Sequence, residues 1–206
     1  MTSIRLALFD MDDVLCHYDL GQRLRALSRL TGKTPRDIRA ALWDSGFEED
    51  ADSGGYLDSD DYLAGFVQRI GAPVSRAEWL AARGAAMVPF HDVLALARRI
   101  GETIATAIYT NNGPMVKEGL ATLFPEAFAA FGGRIHCSYE FATKKPDPAS
   151  YTRLLQKLGA RPDETFFTDD KKSNVEGARL AGLHAHRFTG YEGLEREARR
   201  LGLVAD

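Results

Sequence analysis

Cysteine is scarce in this sequence, and its scarcity limits where the protein is expected to work. The 206 residues include two cysteines, Cys16 and Cys137, which cannot build a disulfide framework and do not form a CxxC pair. We therefore expect a protein of the reducing cytoplasm. Long apolar runs are absent as well. None approaches the roughly 20 residues that a membrane-spanning helix requires, so we expect no membrane partner.

Basic residues are not in excess either. The chain has 26 Lys and Arg against 29 Asp and Glu, for a net charge of -3, and its basic residues are spread along the sequence. This distribution argues against nucleic acid as a partner, because nucleic-acid binding favours a basic stripe. Hydrophobic residues make up 45% of the chain, which is enough for a globular protein with a buried core.

Five short apolar runs indicate buried strands. They cover residues 4–9, 103–109, 134–138, 164–168 and 183–188. Helical patterns separate or follow them, at residues 89–101, 114–124, 148–159, 174–181 and 194–201. Strands that alternate with helices predict an α/β fold, in which a doubly wound parallel sheet is covered by helices on both faces.

The segment from residue 19 to 87 breaks this alternation. Its apolar residues recur at three- and four-residue steps, which is typical of amphipathic helices packed into a small bundle. We therefore divide the chain into a core domain, residues 1–16 and 89–206, and a small all-helical cap domain, residues 17–88. The cap is inserted after the first strand of the core.

Carboxylates follow the first apolar run directly. Asp10, Asp12 and Asp13 stand in the sequence FDMDDVL, at the carboxyl end of a predicted strand, where open α/β sheets bind their ligands. Carboxylates crowded this closely repel each other unless a cation lies between them. A hard divalent ion with oxygen ligands is the natural partner, and magnesium suits phosphate chemistry.

Three further strand ends carry polar groups that suit phosphate or metal. The second run ends in YTNNG, where Thr110 and Asn111 offer a hydroxyl and an amide to a phosphate oxygen. The third is followed by KKPDP, where Lys145 can neutralise both an attacking carboxylate and the phosphoryl oxygens. The fourth ends at the acidic pair Asp169 and Asp170, just before a helical pattern.

Taken in order, these motifs resemble those of the haloacid-dehalogenase-like superfamily, in the branch (subfamily IA) with a helical C1 cap after the first strand. FDMDDVL resembles the first motif, the Thr of YTNN the second, the Lys of KKPDP the third and TDDKKSNVEGA the fourth. The resemblance covers the whole chain. It implies a Rossmann-like core of five parallel strands in the order 5-4-1-2-3, and within the branch the chain is similar to hexose-phosphate phosphatases.

The resemblance also implies a role for each motif residue. Asp10 would be the nucleophile and Asp12 the general acid and base. Of the doubled lysines, Lys145 stands directly before the proline and fits the motif better than Lys144. The residues expected to bind the phosphoryl group are Thr110, Asn111 and Lys145. The expected magnesium ligands are Asp10, Asp12 through its backbone carbonyl, Asp170, and Asp169 either directly or through water.

Two residues next to the nucleophile refine this interpretation. Asp13 stands where many phosphatases of the family have Gly, which adds negative charge beside the site and leaves the local turn undetermined. Asp12 favours phosphate esters over haloacids, because superfamily dehalogenases resemble this motif but lack a carboxylate there. A dehalogenase has no alkoxide to protonate.

We therefore predict a magnesium-dependent hydrolase that acts on a small phosphorylated metabolite, such as a sugar phosphate, through an aspartyl-phosphate on Asp10. One alternative is a phosphomutase of the β-phosphoglucomutase type. Residues 44–68 contain no Lys or Arg, which argues against the second phosphate site that a mutase needs. A non-catalytic binding module is the other alternative. The residues that argue against it are Asp10, Asp12, Lys145 and Asp170.

Overall fold

A computed structural model of the chain describes residues 3–204. Its strands, in chain order, are β1 (Leu6–Phe9), β2 (Cys16–Tyr18), β3 (Met87–Pro89), β4 (Ala105–Thr110), β5 (Ile135–Cys137), β6 (Thr165–Asp169) and β7 (His184–Arg187). Its α-helices, in chain order, are α1 (Leu20–Thr31), α2 (Pro35–Arg39), α3 (Phe47–Asp52), α4 (Ser59–Ile70), α5 (Arg76–Gly84), α6 (His91–Gly101), α7 (Pro114–Leu123), α8 (Pro125–Phe131), α9 (Pro148–Leu158), α10 (Lys172–Leu180) and α11 (Tyr191–Arg200). Shorter helical turns occupy Ala40–Asp44, Ser138–Phe141 and Pro162–Glu164. Within this described part of the chain, no helix is both long and apolar enough to cross a bilayer.

A five-stranded parallel sheet forms the centre of the core, with the strand order β5-β4-β1-β6-β7. Counted as core strands one to five, this is the predicted order 5-4-1-2-3, so the predicted fold class is confirmed. β1 lies in the middle, where Leu6 pairs with Ala105 of β4 on one side and with Thr165 of β6 on the other. All of β1 is buried. Helices cover both faces of the sheet, which explains why this strand is apolar without alternation.

Each face of the sheet has its own hydrophobic layer, and alternate residues of β1 point into the two layers. Ala7 and Phe9 belong to the larger one, where the ring of Phe9 meets that of Phe131 of α8 with centres 5.5 Å apart. Leu6 and Leu8 belong to the other, which includes side chains of α9 and α10. The sheet is thus fixed between two layers, and its carboxyl edge is a firm platform for functional side chains.

An antiparallel ribbon, β2 paired with β3, joins the core to helices α1 to α5. In this ribbon Tyr18 pairs with Met87. The helices pack around buried aromatic rings, such as those of Phe47 and Tyr62, which stack with centres 5.4 Å apart. The helical character predicted for this insertion is confirmed for the elements between β2 and β3, whereas residues 17–18 and 87–88 belong to the ribbon. The division of residues 17–88 from the core as a separate cap domain stays a prediction.

The ribbon strands β2 and β3 and two of the helices differ from the sequence-based expectations. The helix expected to begin at Pro89 begins at His91, because Pro89 is the last residue of β3. Helix α8 was not expected, since it follows α7 after the single residue Phe124 and is seven residues long. A helix this short gives no readable periodic pattern.

Candidate active site

Side chains from three strand ends and one loop meet at the carboxyl edge of the sheet. Asp10 follows β1, Thr110 ends β4 and Asp169 ends β6, while Lys145 reaches them from the loop before α9. All four side chains are buried. The strands β4, β1 and β6 are neighbours, and parallel strands present their carboxyl ends along one edge. The sheet order is therefore what brings these distant motifs together.

Lys145 lies between two carboxylates. Its Nζ is 2.8 Å from Oδ1 of Asp10 and 2.6 Å from Oδ2 of Asp169. Burial opposes the charge of this lysine, but the two carboxylates outweigh that effect and raise its pKa. Lys145 is thus a fixed positive charge beside Asp10. Lys144 instead pairs with Glu49 of α3 at 2.7 Å, so the geometry favours Lys145 as the lysine of the site.

Asp10, Asp169 and Asp170 form a cluster that can hold a metal ion. One oxygen atom of each lies within 4.8 Å of the others. Oδ1 of Asp170 is buried and has no hydrogen-bond partner within residues 3–204, so it has an unused lone pair for an ion. Burial raises the pKa of Asp10 to about 8, against the pull of Lys145 and with the help of Asp169. A cation would offset this crowded negative charge, and an all-oxygen donor set fits magnesium.

Asp169 is held by donors on several sides. The backbone N–H of Lys171 donates to its Oδ1 at 2.9 Å, and Nδ2 of Asn174 lies 3.0 Å from both oxygens. Burial opposes the charge of Asp169, but Lys145 and these hydrogen bonds lower its pKa. Sequence reasoning gave Asn174 no role. Its place in the first turn of the helix after the acidic pair is the signal that could have identified it.

The two asparagines after β4 fix their neighbours. Asn111 accepts a hydrogen bond from the backbone N–H of Lys145 at 3.0 Å and donates to the backbone oxygen of the same residue at 2.8 Å. Asn112 donates to Oγ1 of Thr110 at 2.8 Å, which leaves the hydroxyl proton of Thr110 able to donate in turn. The expected roles of Thr110 and Asn111 in binding substrate stay predictions.

Asp12 makes a contact that the sequence did not suggest. Nη2 of Arg83, a buried residue of α5, lies 2.8 Å from one carboxylate oxygen of Asp12 and 2.7 Å from the other. The guanidinium carbon of Arg83 is 3.9 Å from the ring centre of Tyr18. The side chain expected to act as acid and base is therefore paired with the helical insertion, 71 residues away in sequence.

The backbone conformation at Asp13 accounts for the Gly that many phosphatases of the family have at this position. Its φ angle is 60°, in the left-handed region that glycine adopts freely and that Asp and Asn tolerate better than most residues. Oδ1 of Asp13 accepts a hydrogen bond from the backbone N–H of Tyr18 at 3.1 Å, and Nδ1 of His17 lies 3.2 Å from the same oxygen. The side chain thus anchors the start of the helical insertion to the turn after β1.

A cavity of about 460 Å³ lies between the helical insertion and this edge of the sheet. The core contributes Asp12 and Asn111 to its wall, and the insertion contributes Trp43, Glu48 and Asp52. Burial raises the pKa of Asp52 well above its ordinary value, and the negative charge of Glu48 adds to this effect. The cavity wall therefore combines an aromatic ring with carboxyl groups, one of which is that of Asp12.

The fold and the site are those of a hydrolase whose acidic active-site residues lie at the carboxyl edge of an α/β sheet. Comparison with known proteins identifies the family. The sequence model of the haloacid dehalogenase-like hydrolase family matches residues 4–182 of this chain. The chain belongs to this family, which confirms the predicted superfamily and enzyme class. A phosphatase of Mycobacterium tuberculosis is 27% identical over 99% of this chain and 98% of its own length.

Solved structures give the same fold. A hydrolase of the haloacid dehalogenase-like family from Porphyromonas gingivalis superposes with a TM-score of 0.77 at 20% identity, over 97% of this chain and 98% of its own. An enzyme of the family from Bacteroides thetaiotaomicron, crystallised with magnesium and inorganic phosphate, gives a TM-score of 0.69 at 19% identity, over 90% of this chain and 94% of its own. The predicted magnesium cofactor agrees with the acidic cluster described above.

Proposed function

We propose that this protein is a magnesium-dependent phosphatase that hydrolyses a small phosphomonoester through an aspartyl-phosphate on Asp10. The observation that carries the proposal is the position of Lys145, whose ammonium group touches both Asp10 and Asp169 inside the acidic cluster. A nucleophilic carboxylate beside a fixed cation and a metal-binding cluster is suited to phosphoryl transfer. The phosphatase from Mycobacterium tuberculosis, similar along nearly its whole length, supports the same activity.

The residues divide the reaction between them. An oxygen of Asp10 attacks phosphorus, while Lys145 and the hydroxyl of Thr110 hold the phosphoryl oxygens. Asp12 donates a proton to the leaving oxygen and then takes one from the water that hydrolyses the aspartyl-phosphate. Asp10, Asp169 and Asp170 would hold the magnesium ion, which would supply positive charge to offset the negative charge of the phosphoryl group.

The cavity supports a polyhydroxylated substrate, such as a hexose phosphate. Glu48 and Asp52 offer carboxyl groups that can form hydrogen bonds with sugar hydroxyls. The ring of Trp43 lines the same wall and suits the apolar face of a sugar ring. A cavity of about 460 Å³ has room for such a molecule.

A phosphomutase is the second candidate, because the cavity wall also contains the cationic side chains of Arg23, Arg83, Lys144 and Lys171. Three of them are paired in the structure, Arg23 with Glu48 at 3.2 Å, Arg83 with Asp12 at 2.7 Å and Lys144 with Glu49 at 2.7 Å. A second phosphate bound to any of these three would have to displace a carboxylate. This pairing favours hydrolysis over transfer. Conversion of a sugar 1-phosphate into the 6-phosphate, without release of phosphate, would identify the mutase.

The test is phosphate release from a panel of sugar phosphates and other phosphomonoesters, with magnesium and with a chelator. We expect magnesium-dependent turnover that Asp10→Asn lowers by about 10³-fold or more, since it removes the nucleophile. Asp163→Asn is the matched control, because Asp163 precedes β6 at the opposite edge of the sheet and is paired with Arg161. Phosphate release that survives Asp10→Asn, or no release of phosphate from any ester, would contradict the proposal.

A further inference from the structure

The contact between Arg83 and Asp12 joins the helical insertion to the residue proposed as acid and base. One nitrogen of Arg83, Nη2, reaches both carboxylate oxygens of Asp12, at 2.8 and 2.7 Å. The ring of Tyr18, in the ribbon strand β2, packs against the guanidinium with its centre 3.9 Å from the central carbon. The side chain of Arg83 is 2% exposed and that of Asp12 is 27% exposed. The pair is thus anchored in the insertion and opens toward the cavity.

The charge of Arg83 is hard to explain by stability alone. Nε and Nη1 of this residue are buried, and neither has a hydrogen-bond partner within the described chain. Burying a guanidinium with two of its nitrogens unpaired is unfavourable, and apolar residues of similar volume often stabilise such positions better. The contact of its remaining nitrogen, Nη2, with Asp12 therefore accounts better for an arginine at this position.

We propose that Arg83 is a positioning residue, which fixes the carboxylate of Asp12 for proton transfer. The inference rests on the proposed function. In the first step, the bond from Asp10 to phosphorus forms as the ester P–O bond breaks, and the proton of Asp12 goes to the leaving oxygen. Arg83 keeps its own protons throughout and acts only on the placement of Asp12.

If Arg83 positions Asp12, the effect of losing Arg83 should depend on the leaving group of the substrate. An alkoxide leaving from a sugar or glycerol phosphate needs the proton of Asp12, whereas p-nitrophenolate is stable without it. A misplaced Asp12 should therefore slow alkyl phosphates far more than p-nitrophenyl phosphate. The value of kcat/KM is the right measure, because it covers the steps up to departure of the leaving group and excludes hydrolysis of the aspartyl-phosphate.

The experiment compares glycerol phosphate with p-nitrophenyl phosphate in the wild-type protein and four variants. For Arg83→Met we expect kcat/KM to fall about 10- to 100-fold more for glycerol phosphate, a part of the 10²- to 10⁴-fold worth of general acid catalysis. Arg83→Lys keeps the charge but not the planar fork, so it should recover part of the loss. Asp12→Asn should show the same preference as Arg83→Met, more strongly.

Arg76→Met is the matched control. Arg76 begins the same helix, about two turns from Arg83, and bonds Glu118 of the core at 3.1 Å and Asp60 at 2.7 Å. Its loss weakens the seating of α5 without touching Asp12, so both substrates should be affected equally.

Three outcomes decide the inference. Equal losses on both substrates in Arg83→Met and Arg83→Lys would show a merely structural role and overturn it. Unchanged rates would overturn it too. Should Arg83→Met fail to fold by circular dichroism, Arg83→Lys decides the question by the same ratio. The proposed function is tested separately, since its failure would appear as an inactive wild-type protein.

Discussion

Gly177 of α10 lies directly against the backbone of Pro146, the residue that follows Lys145. A Cβ atom at position 177 would overlap the carbonyl oxygen of Pro146. Because the obstacle is backbone, it cannot rotate away as a flexible side chain could. The glycine therefore sets how closely the helix after the acidic pair approaches the loop that carries the lysine of the site, and the distance from Lys145 to Asp10 depends on this approach.

Gly177→Ala is expected to displace that loop. We expect a loss of about 1–3 kcal/mol in the free energy of unfolding, as for other overpacked sites, and at least a tenfold loss of kcat, since small misplacements at an active site are costly. Urea unfolding and steady-state kinetics measure the two effects.

The control for this substitution is Gly193→Ala. Gly193 lies within α11, where the nearest atom to an added Cβ is 3.7 Å away. Alanine should fit there and stabilise the helix by about 0.5–1 kcal/mol with unchanged activity. A Gly177→Ala protein as active and as stable as Gly193→Ala would contradict the close-packing explanation.

Asp170→Asn should separate metal binding from stability. Magnesium at a hundred times its Kd is expected to stabilise the wild-type protein by about 2.7 kcal/mol, or about 5–10 °C in Tm. The variant loses a ligand of the cluster with Asp10 and Asp169, so its magnesium-induced rise should shrink. Without metal its Tm should not fall, because one repelling carboxylate is removed. Thermal melts with magnesium and with a chelator test both, and Asp163→Asn should behave like wild type.

Glu140 offers a pH-dependent contribution to stability away from the site. Its Oε2 lies 2.5 Å from Nζ of both Lys117 and Lys157, and its Oε1 accepts from the backbone N–H of Cys137 at 2.9 Å. Burial opposes its charge, but these partners outweigh burial and hold its pKa below the ordinary 4.5. A carboxylate whose pKa is lowered by folding stabilises the protein above that ordinary value, and the effect disappears as the pH falls through the folded-state pKa.

Glu140→Gln should therefore cost about 1–2 kcal/mol near pH 7, and the difference from wild type should shrink once the pH falls below about 4.5. Urea unfolding over a pH series measures it, with Glu102→Gln, an exposed residue at the end of α6, as the baseline. A difference that stays the same at all pH values would show that the charge of Glu140 is not its cause.

The sequence predicted contacts best where the order of strands in the sheet determines which residues are neighbours. Buried parallel strands need apolar runs, and their carboxyl ends must share an edge, so the proximity of Asp10, Lys145 and Asp169 followed from the order of the motifs. The expectation that Asp170 binds the metal came instead from the resemblance of TDDKKSNVEGA to the fourth motif of the family.

Contacts that depend on how helices pack could not be predicted. Arg83 is one of several basic residues in an amphipathic pattern, and its contact with Asp12 spans 71 residues. Nothing in the local sequence distinguishes it from Arg76. The need for glycine at position 177 could not be predicted either. It arises from a close contact with Pro146, in a loop that is distant in the sequence. The strands of the ribbon, Cys16–Tyr18 and Met87–Pro89, are too short to show alternation.

The central claim is that the phosphoryl group passes through Asp10, and trapping it there is the most direct test. In Asp12→Asn the base for the second step is missing, so the aspartyl-phosphate should accumulate when the protein meets a reactive phosphomonoester and magnesium. Acid quenching followed by peptide mass mapping should find one phosphoryl group, on Asp10, and none when a chelator replaces magnesium. Turnover of the ester by the wild-type protein, with no phosphoryl group on Asp10 in the trapped variant or with one on a different residue, would contradict the account.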